Sequence, residues 1–583
     1  MDANIYLANT FYFVEGLGEA PLWESVAALS HDGRPPLYQL LSVPFLYLFG
    51  RSADAALLIN VVFGVVLLLS TYGIGRLVQD GKAGLLAALL VVAYPPLVDL
   101  SRIYRPHFAI AACVALSLWL LLLLLKARSP KIAWLFGASL VLGMLVHSSF
   151  LYVLAAPTVL FGFYALLFQT PPRYPSILKE APRWLLAKLR DPFVLYGLLP
   201  AALVAAALTA GWYLTEGRTL LRVLQQVTQE GRDVTRGFSV PFSFWWYALT
   251  APGAISYVFA IFFLGGLVAG IVKRQLYTFV LVMTFLAAYV VYSTRGGRAW
   301  FYLASVLPIV AILTATWIMG LARRRISAVL TIVCVGTAVL TFSVVTWGLK
   351  SWGEPFIRAL GAPLNSQTCV SPSNVVFCPW PARDEDWRLS DVLEIIHDDA
   401  DCRDRTCHLT LVQGWWNIWH VNYNSFRCYL ARDFPETRLE IYSTRLETLA
   451  DQLQLLLSSE YVLYRPDNYT HNLRYFLLSP PSAFADAHRQ VASFEFPNGT
   501  IARLIKRVAP LTFEEVAMSV TALDFSQEDV VSFQRRLDGN ERTHASTVAG
   551  ALSQEDKASL KQWLDDYRQH PASEIKELLD DGA

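Results

Sequence analysis

His31-Asp32-Gly33-Arg34-Pro35-Pro36-Leu37-Tyr38-Gln39-Leu40-Leu41 decides how the chain is read. A polar, cationic turn meets two prolines and then an apolar helix. The prolines forbid helix before Leu37 and fix how the backbone enters it, so Arg34 is held at the edge of an apolar slab. A cation at that depth is costly unless an anion pairs with it, and a phosphate is the obvious partner. The plainer alternative is an interfacial arginine that snorkels to water.

Past this turn the chain is apolar on a scale that only a membrane explains. Of 583 residues, 54% are hydrophobic and 16% charged, and the mean hydropathy is +0.39. The apolar residues come in blocks long enough to cross a bilayer. With a net charge of +1 no global field argues for nucleic acid. Residues 2–34 are amphipathic and too polar to span, and 35–50 form a short interfacial helix. Candidate spans lie at about 54–79, 83–100, 106–126, 131–147, 149–168, 192–214, 246–272, 275–293, 299–320 and 326–349.

Every second connection between these spans is basic, as in Lys126/Arg128/Lys131 and Arg323–Arg325, which marks those connections as cytoplasmic. Asp2, Arg34, Arg102, Arg105, a loop at 215–245 and everything beyond Lys350 then fall on the outer face. Arg295 and Arg298 join them. Outer arginines run against the positive-inside trend, and their clustering points to an anionic ligand. Met1-Asp2 opens without a basic n-region or an apolar h-region, so no cleavable signal peptide is expected. An even number of spans leaves the N-terminus outside, which suggests a first helix upstream of Met1.

Beyond Lys350 the pattern becomes that of an α/β domain. Asp386 can cap a helix that buries Leu389, Val392, Leu393 and Ile396. His408–Gln413, Leu439–Tyr442 and Tyr461–Tyr464 read as strands, and Asn498-Gly499 joins two alternating runs as a hairpin. Residues 511–583 read as helical, with caps at Ser526 and Ser553. Five cysteines lie in the outer domain, where disulfides persist. Cys369–Cys378 and Cys402–Cys407 are the pairings favoured by spacing, although spacing does not settle them. No cysteine or histidine set has metal-ligand spacing. The division expected is a membrane module at 1–350, an extracytoplasmic α/β domain at 351–510 and a helical extension at 511–583.

The order Asp2, Tyr6, Arg34-Pro35-Pro36-Leu37-Tyr38, Phe49-Gly50, Ser101-Arg102 and Arg105-Pro106 resembles the GT-C superfamily of integral-membrane glycosyltransferases. Its protein O-mannosyltransferases and lipid A aminoarabinose transferases are the relevant branches (glycosyltransferase family 39). The resemblance runs over about residues 2–320 and is best in 2–126. It implies a polytopic α-helical GT-C-like bundle of about ten spans with a C-terminal extracytoplasmic α/β domain. It implies transfer of a sugar, a hexose or pentose, from a polyprenyl-phosphate donor to a glycan, lipid or protein acceptor at the outer face of the plasma membrane.

By the same resemblance Asp2 is the catalytic base, and Arg34, Arg102, Arg105 and Arg298 contact the donor phosphate. Tyr6, Asp99, His107 and Arg295 are further candidates. No cofactor and no metal are expected. The family's Asp-Glu pair is Asp2-Ala3 here, so a second acid has to come from elsewhere, and Asp99 is an unmatched substitute. Such a transfer needs a cationic pocket at membrane depth to stabilise the departing phosphate and a carboxylate to take the acceptor proton. A transporter or lipid flippase would place ionisable groups mid-span and show internal repeats. A non-catalytic cell-envelope assembly protein would tolerate loss of Asp2 and Arg34.

Overall fold

The structure is a computed structural model, and it describes residues 2–17, 25–26, 29, 35–167, 191–234, 256–273, 275–294, 300–347, 387–403, 405–412, 423–443, 455–456, 459–464, 487–497, 499–509 and 562. Two compact units emerge. One takes in residues 13–383, and the other residues 1–12 with 384–583.

The first unit is a bundle of apolar helices. Helix α1 (Asp2–Gly16) has its residues up to Tyr12 in the other unit and enters this one at Phe13. Then α2 (Leu37–Phe49), α3 (Ala53–Val78), α4 (Gly81–Ala93), α5 (Pro95–Ser101), α6 (Pro106–Ala127), α7 (Pro130–Val146) and α8 (Phe150–Leu167) follow. They are followed by α9 (Leu199–Val234), α10 (Ser256–Lys273), α11 (Leu276–Thr294), α12 (Leu307–Met319) and α13 (Arg324–Trp347). A π turn, Val194–Leu198, leads into α9, and a 3-10 turn, Trp300–Ser305, leads into α12. Each expected span has a helix within it.

Among the described residues, four helical stretches are long and apolar enough to cross a membrane: Ala53–Val78, Pro106–Ala127, Val194–Gly217 and Leu276–Ser293. The pair α4 and α5, bent by 63°, makes a fifth if it counts as one span. Shorter apolar stretches lie at Leu37–Phe49, Pro130–Val146, Phe150–Val159, Val258–Lys273 and Leu307–Met319. The expected loop at 215–245 is corrected as far as Val234, because α9 runs on as helix to that residue. No proline interrupts the chain from Ala201 to Val240. The stretch is also rich in Leu, Gln, Arg and Glu, which propagate helix whether the face is wet or dry.

Helix starts and stops follow local chemistry. Ser52 caps α3 by accepting from the Ala55 N–H at 3.1 Å, and Asp80 caps α4 by accepting from the Ala83 N–H at 2.8 Å. Pro95, Pro106 and Pro130 open α5, α6 and α7 at positions where an N–H would have no partner. Packing between helices relies on glycine. A Cβ at Gly266 of α10 would lie 2.3 Å from the Leu313 carbonyl oxygen of α12, so those backbones touch directly.

Helix ends sort into two groups. A Cβ at Gly320 would sit 3.5 Å from both Gln79 Oε1 and Lys273 Nζ, so the ends of α3, α10 and α12 meet at one pole. Ring contacts from His107 to His147 and Phe301 gather the start of α6, the end of α7 and the lead-in to α12 at another. That is the alternation read from the basic connections.

The second unit carries a five-stranded sheet ordered β2-β1-β3-β5-β4. Its strands are β1 (Cys407–Leu411), β2 (Leu439–Ser443), β3 (Tyr461–Tyr464), β4 (His488–Glu495) and β5 (Ile501–Arg507). β1 pairs in parallel with β2 and β3, while β3–β5 and β5–β4 are antiparallel. α14 (Leu389–His397) buries Leu389, Val392, Leu393 and Ile396, as the spacing predicts. It is followed by the short α15 (Ala400–Arg403). The cap position of α14 is Arg388, in the left-handed region and without a side-chain cap bond. Asp386 lies outside the described residues.

Helix α16 (Tyr423–Asp433) makes the crossover from β1 to β2. β4 and β5 are the expected hairpin, with Gly499 at φ +75° in its turn. The Cys402–Cys407 disulfide is formed, and Cys428 is a buried free thiol. Cys369 and Cys378, and the helices expected at Ser526 and Ser553, lie outside the described residues.

Glu460 knits the parallel strands. Its carboxylate accepts from the His408 backbone N–H at 2.8 Å, meets His408 Nδ1 at 3.1 Å and pairs with Arg405 at 3.2 Å. Burial pushes the Glu460 carboxyl up, but the His408 bonds outweigh it and hold it below the usual carboxylate range. A lowered folded-state pKa gives stability that is present above the unfolded pKa, about 4.3, and is lost as pH falls through the folded value. Hydrogen exchange at the β1 and β3 amides, corrected for intrinsic rate, should therefore accelerate in acid below about pH 4. The acid loss should be shallower in Glu460→Gln. In the bundle, Gly266→Val should cost about 1–3 kcal/mol by overpacking. Gly336→Val, where nothing lies within 4 Å, should leave the detergent-phase melting temperature nearly unchanged.

Candidate functional site

The turn between α5 and α6 brings several of the sequence-predicted polar side chains together. Tyr94-Pro95-Pro96 breaks the apolar run, and α5 carries Asp99 before it stops at Arg102, whose N–H bonds back to the Asp99 carbonyl. The chain then turns through Ile103 and Tyr104 and re-enters helix at Pro106, with Arg105 extended at the N-cap position. Pro106 forces that extended geometry on Arg105. The guanidinium is thereby sent out beside the positive end of a 22-residue helix.

Three neighbours hold this turn from below. Asn60, buried on α3, donates from Nδ2 to the Ser101 carbonyl at 3.1 Å and to the Ile103 carbonyl at 3.4 Å. Its Oδ1 accepts from the Tyr38 hydroxyl at 3.1 Å. Tyr38 is fully buried, and its ring centroid lies 4.9 Å from that of Tyr104. Ser42 on α2 hydrogen-bonds the Tyr104 hydroxyl. The Pro35-Pro36-Leu37-Tyr38 motif thus fixes the α5–α6 turn through Asn60.

On its other side the turn meets an aromatic layer. Arg105 stacks over Phe301, its Cζ 5.0 Å from the ring centroid. The same ring lies 4.3 Å from His107, which is only 5% exposed and stands 5.1 Å from His147 and 5.4 Å from Tyr302. Behind them the Tyr292 hydroxyl and Ser305 hydroxyl are 2.9 Å apart, and Tyr152 packs edge-on against Tyr292. Asp99, half-buried, sits in the positive field of both Arg102 and Arg105.

Of the sequence-predicted site residues, Arg102, Arg105, Asp99 and His107 therefore come together. Arg34, Arg295 and Arg298 lie outside the described residues. Asp2 starts α1, whose backbone is described there, but its side chain is not. Tyr6 is buried and falls in the other compact unit. His147, Asn60, Tyr292 and Tyr152 were not singled out from sequence. Each reads alone as an ordinary span residue, and only the fold makes them neighbours. Among the described residues, no group of three or more His, Cys, Asp or Glu side chains is placed to hold a metal ion.

Over most of its length the chain is similar to ArnT from Cupriavidus metallidurans bound to undecaprenyl phosphate. The TM-score is 0.52 at 13% identity, covering 88% of this chain and 94% of that one. The chain has the GT-C fold. The apo state of the same ArnT gives a TM-score of 0.49 at 12% identity, over 86% and 93% of the two chains. The apo form of the Archaeoglobus fulgidus oligosaccharyltransferase gives 0.47 at 12% identity, over 86% and 70%. Residues 33–188 match the family model described as dolichyl-phosphate-mannose-protein mannosyltransferase. No curated protein matches the sequence. The expected GT-C resemblance is borne out. The family match takes in Arg34, Asp99, Arg102, Arg105 and His107, and starts beyond Asp2 and Tyr6.

Asn60→Leu leaves the Tyr38 hydroxyl and two carbonyls without this partner in a dry site, and should cost about 2–3 kcal/mol. Tyr38→Phe removes one donor and should cost about 1 kcal/mol. Thermal unfolding in detergent should rank them in that order.

Proposed function

We propose that the chain is an inverting glycosyltransferase of the outer membrane face, moving a hexose or pentose from a polyprenyl-phosphate donor to an acceptor hydroxyl. The observation that carries the reading is Asp99 in the field of two arginines, Arg102 at the end of α5 and Arg105 at the α6 N-terminus, where Arg105 also lies over Phe301. It occurs in a fold shared with a protein bound to undecaprenyl phosphate. The family match lends the same support, since its description names a lipid-phosphate sugar and a protein acceptor.

In this reading the bond between the anomeric carbon and the phosphate oxygen breaks as the acceptor oxygen attacks from the opposite face. Arg102 and Arg105, with Arg34 and Arg298, take up the charge that develops on the departing phosphate. Asp2 accepts the acceptor's proton, and Asp99 is the alternative carboxylate. Tyr6 and Arg295 remain further candidates for contacts to donor or acceptor. The membrane is the plasma membrane. Residues 351–510 form the extracytoplasmic domain that meets a glycan, lipid or protein acceptor, followed by the extension at 511–583.

The purified chain, given radiolabelled polyprenyl-phosphate sugars as a panel, should transfer label from one of them. Arg102→Ala and Arg105→Ala should each lower kcat by about 10²–10³. Asp2→Asn should abolish turnover, whereas Asp99→Asn should reduce it if that group only tunes the arginines. Wild-type turnover in Asp2→Asn with none in Asp99→Asn would move the base to α5. Equal turnover in all of these proteins would remove them from the mechanism.

A further inference from the structure

The transfer step leaves the His107–His147 pair without a role. His147 ends α7, and its Nδ1 accepts the Ser149 backbone N–H at 3.1 Å while meeting Ser149 Oγ at 3.0 Å. Accepting that N–H requires Nδ1 to be unprotonated, so the neutral ring carries its hydrogen on Nε2. Ser149 is buried, whereas His147 is half-buried and reachable from the site. His107 is buried against the same Phe301 ring that carries Arg105. Phe301 thus holds a permanent cation and one titratable ring, His107, and His107 in turn stands beside the second, His147.

Two imidazoles 5.1 Å apart next to a guanidinium do not both hold a proton at low cost, because like charges at that range repel. A dianion brought to the spot removes that cost. Sugar transfer creates such a charge. The donor is a phosphodiester with one negative charge, and the product lipid phosphate is a monoester that carries nearly two at neutral pH (second pKa about 6). The acceptor hydroxyl gives up one proton to the base as the phosphate gains one negative charge.

We propose that the His107–His147 pair takes up one proton from water as the product monoester forms, and so holds lipid monophosphate more tightly than the diester donor. This inference rests on the lipid-phosphate reading. His147 is the residue that sets it: charging its ring gives up the bond from the Ser149 backbone N–H to Nδ1, and the Ser149 hydroxyl then accepts from Nδ1–H. The other titratable or charged side chains described around the pair are Arg105 on the α6 lead-in and Tyr302 from the 3-10 turn. Behind them stand Tyr292 of α11 and Tyr152 of α8, with Asp99 of α5 under the two arginines.

The test is equilibrium binding to the purified full chain in detergent, with undecaprenyl phosphate and its methyl diester as probes. The wild type should prefer the monoester at about pH 7 and lose about tenfold of that preference as pH rises to about 8.5. Calorimetry in buffers of different ionisation enthalpy should show proton uptake with the monoester beyond that with the diester. In His147→Gln and in His107→Gln, which keep a hydrogen-bonding group but do not titrate, the preference should become flat with pH and the excess uptake should vanish. An unchanged pH slope in both variants overturns the inference while leaving the lipid-phosphate reading standing. Failure of the wild type to bind either lipid at any pH overturns both.

Discussion

Asn60 is the constraint on which the α5–α6 end of the bundle depends. A single buried amide satisfies two carbonyls of the α5–α6 turn and takes the Tyr38 hydroxyl. A backbone turn at membrane depth needs such partners, because no water is there to supply them. With the turn secured, Pro106 can hold Arg105 extended, and the aromatic layer can hold its guanidinium in place. Remove the amide and the cations have no fixed position from which to stabilise anything.

That dependence explains why the proline turn at 35–38 reads so strongly in sequence. Its prolines deliver Tyr38 to the one place where a hydroxyl can complete the Asn60 network, and Ser42, one helical turn on, reaches Tyr104. The arginine ahead of the prolines draws the eye. The tyrosine behind them performs the structural task. Motif order and spacing were legible because proline chemistry is local. The latch itself was not, because Asn60 in an apolar run looks like any tolerated polar residue.

The same division runs through the whole chain. Span positions and the strands at 407–411, 439–443 and 461–464 followed from hydropathy and alternation, as did the buried face of α14. These patterns are set by one element at a time. The continuation of α9 past Leu214 was missed because charged residues signal a wet surface, not the end of a helix. Likewise His147 gave no signal: an imidazole at a span's end acquires meaning only when another helix start, that of α6, brings His107 beside it. Glu460 is similar. Its position before β3 is ordinary in sequence, yet it bridges His408 of β1 and Arg405 across strands far apart in the chain.

The break at Tyr94-Pro95-Pro96 is the last step in this logic. A straight α4 would carry its carbonyls satisfied to the end and leave no reason for a polar turn. Bending the chain by 63° instead lays α5 as a separate short helix, with Pro95, Pro96, Leu97 and Val98 buried in protein. Irregular backbone is tolerated in a membrane only where protein packs around it. The apolar side of α5 anchors it, so that Asp99 and Arg102 can be carried on a rigid element rather than on a loose loop. Proline, by removing N–H groups that would have no partner, lowers the cost of that break. Asp99, Arg102 and Arg105 are thereby held on backbone that protein packing has prepared for them.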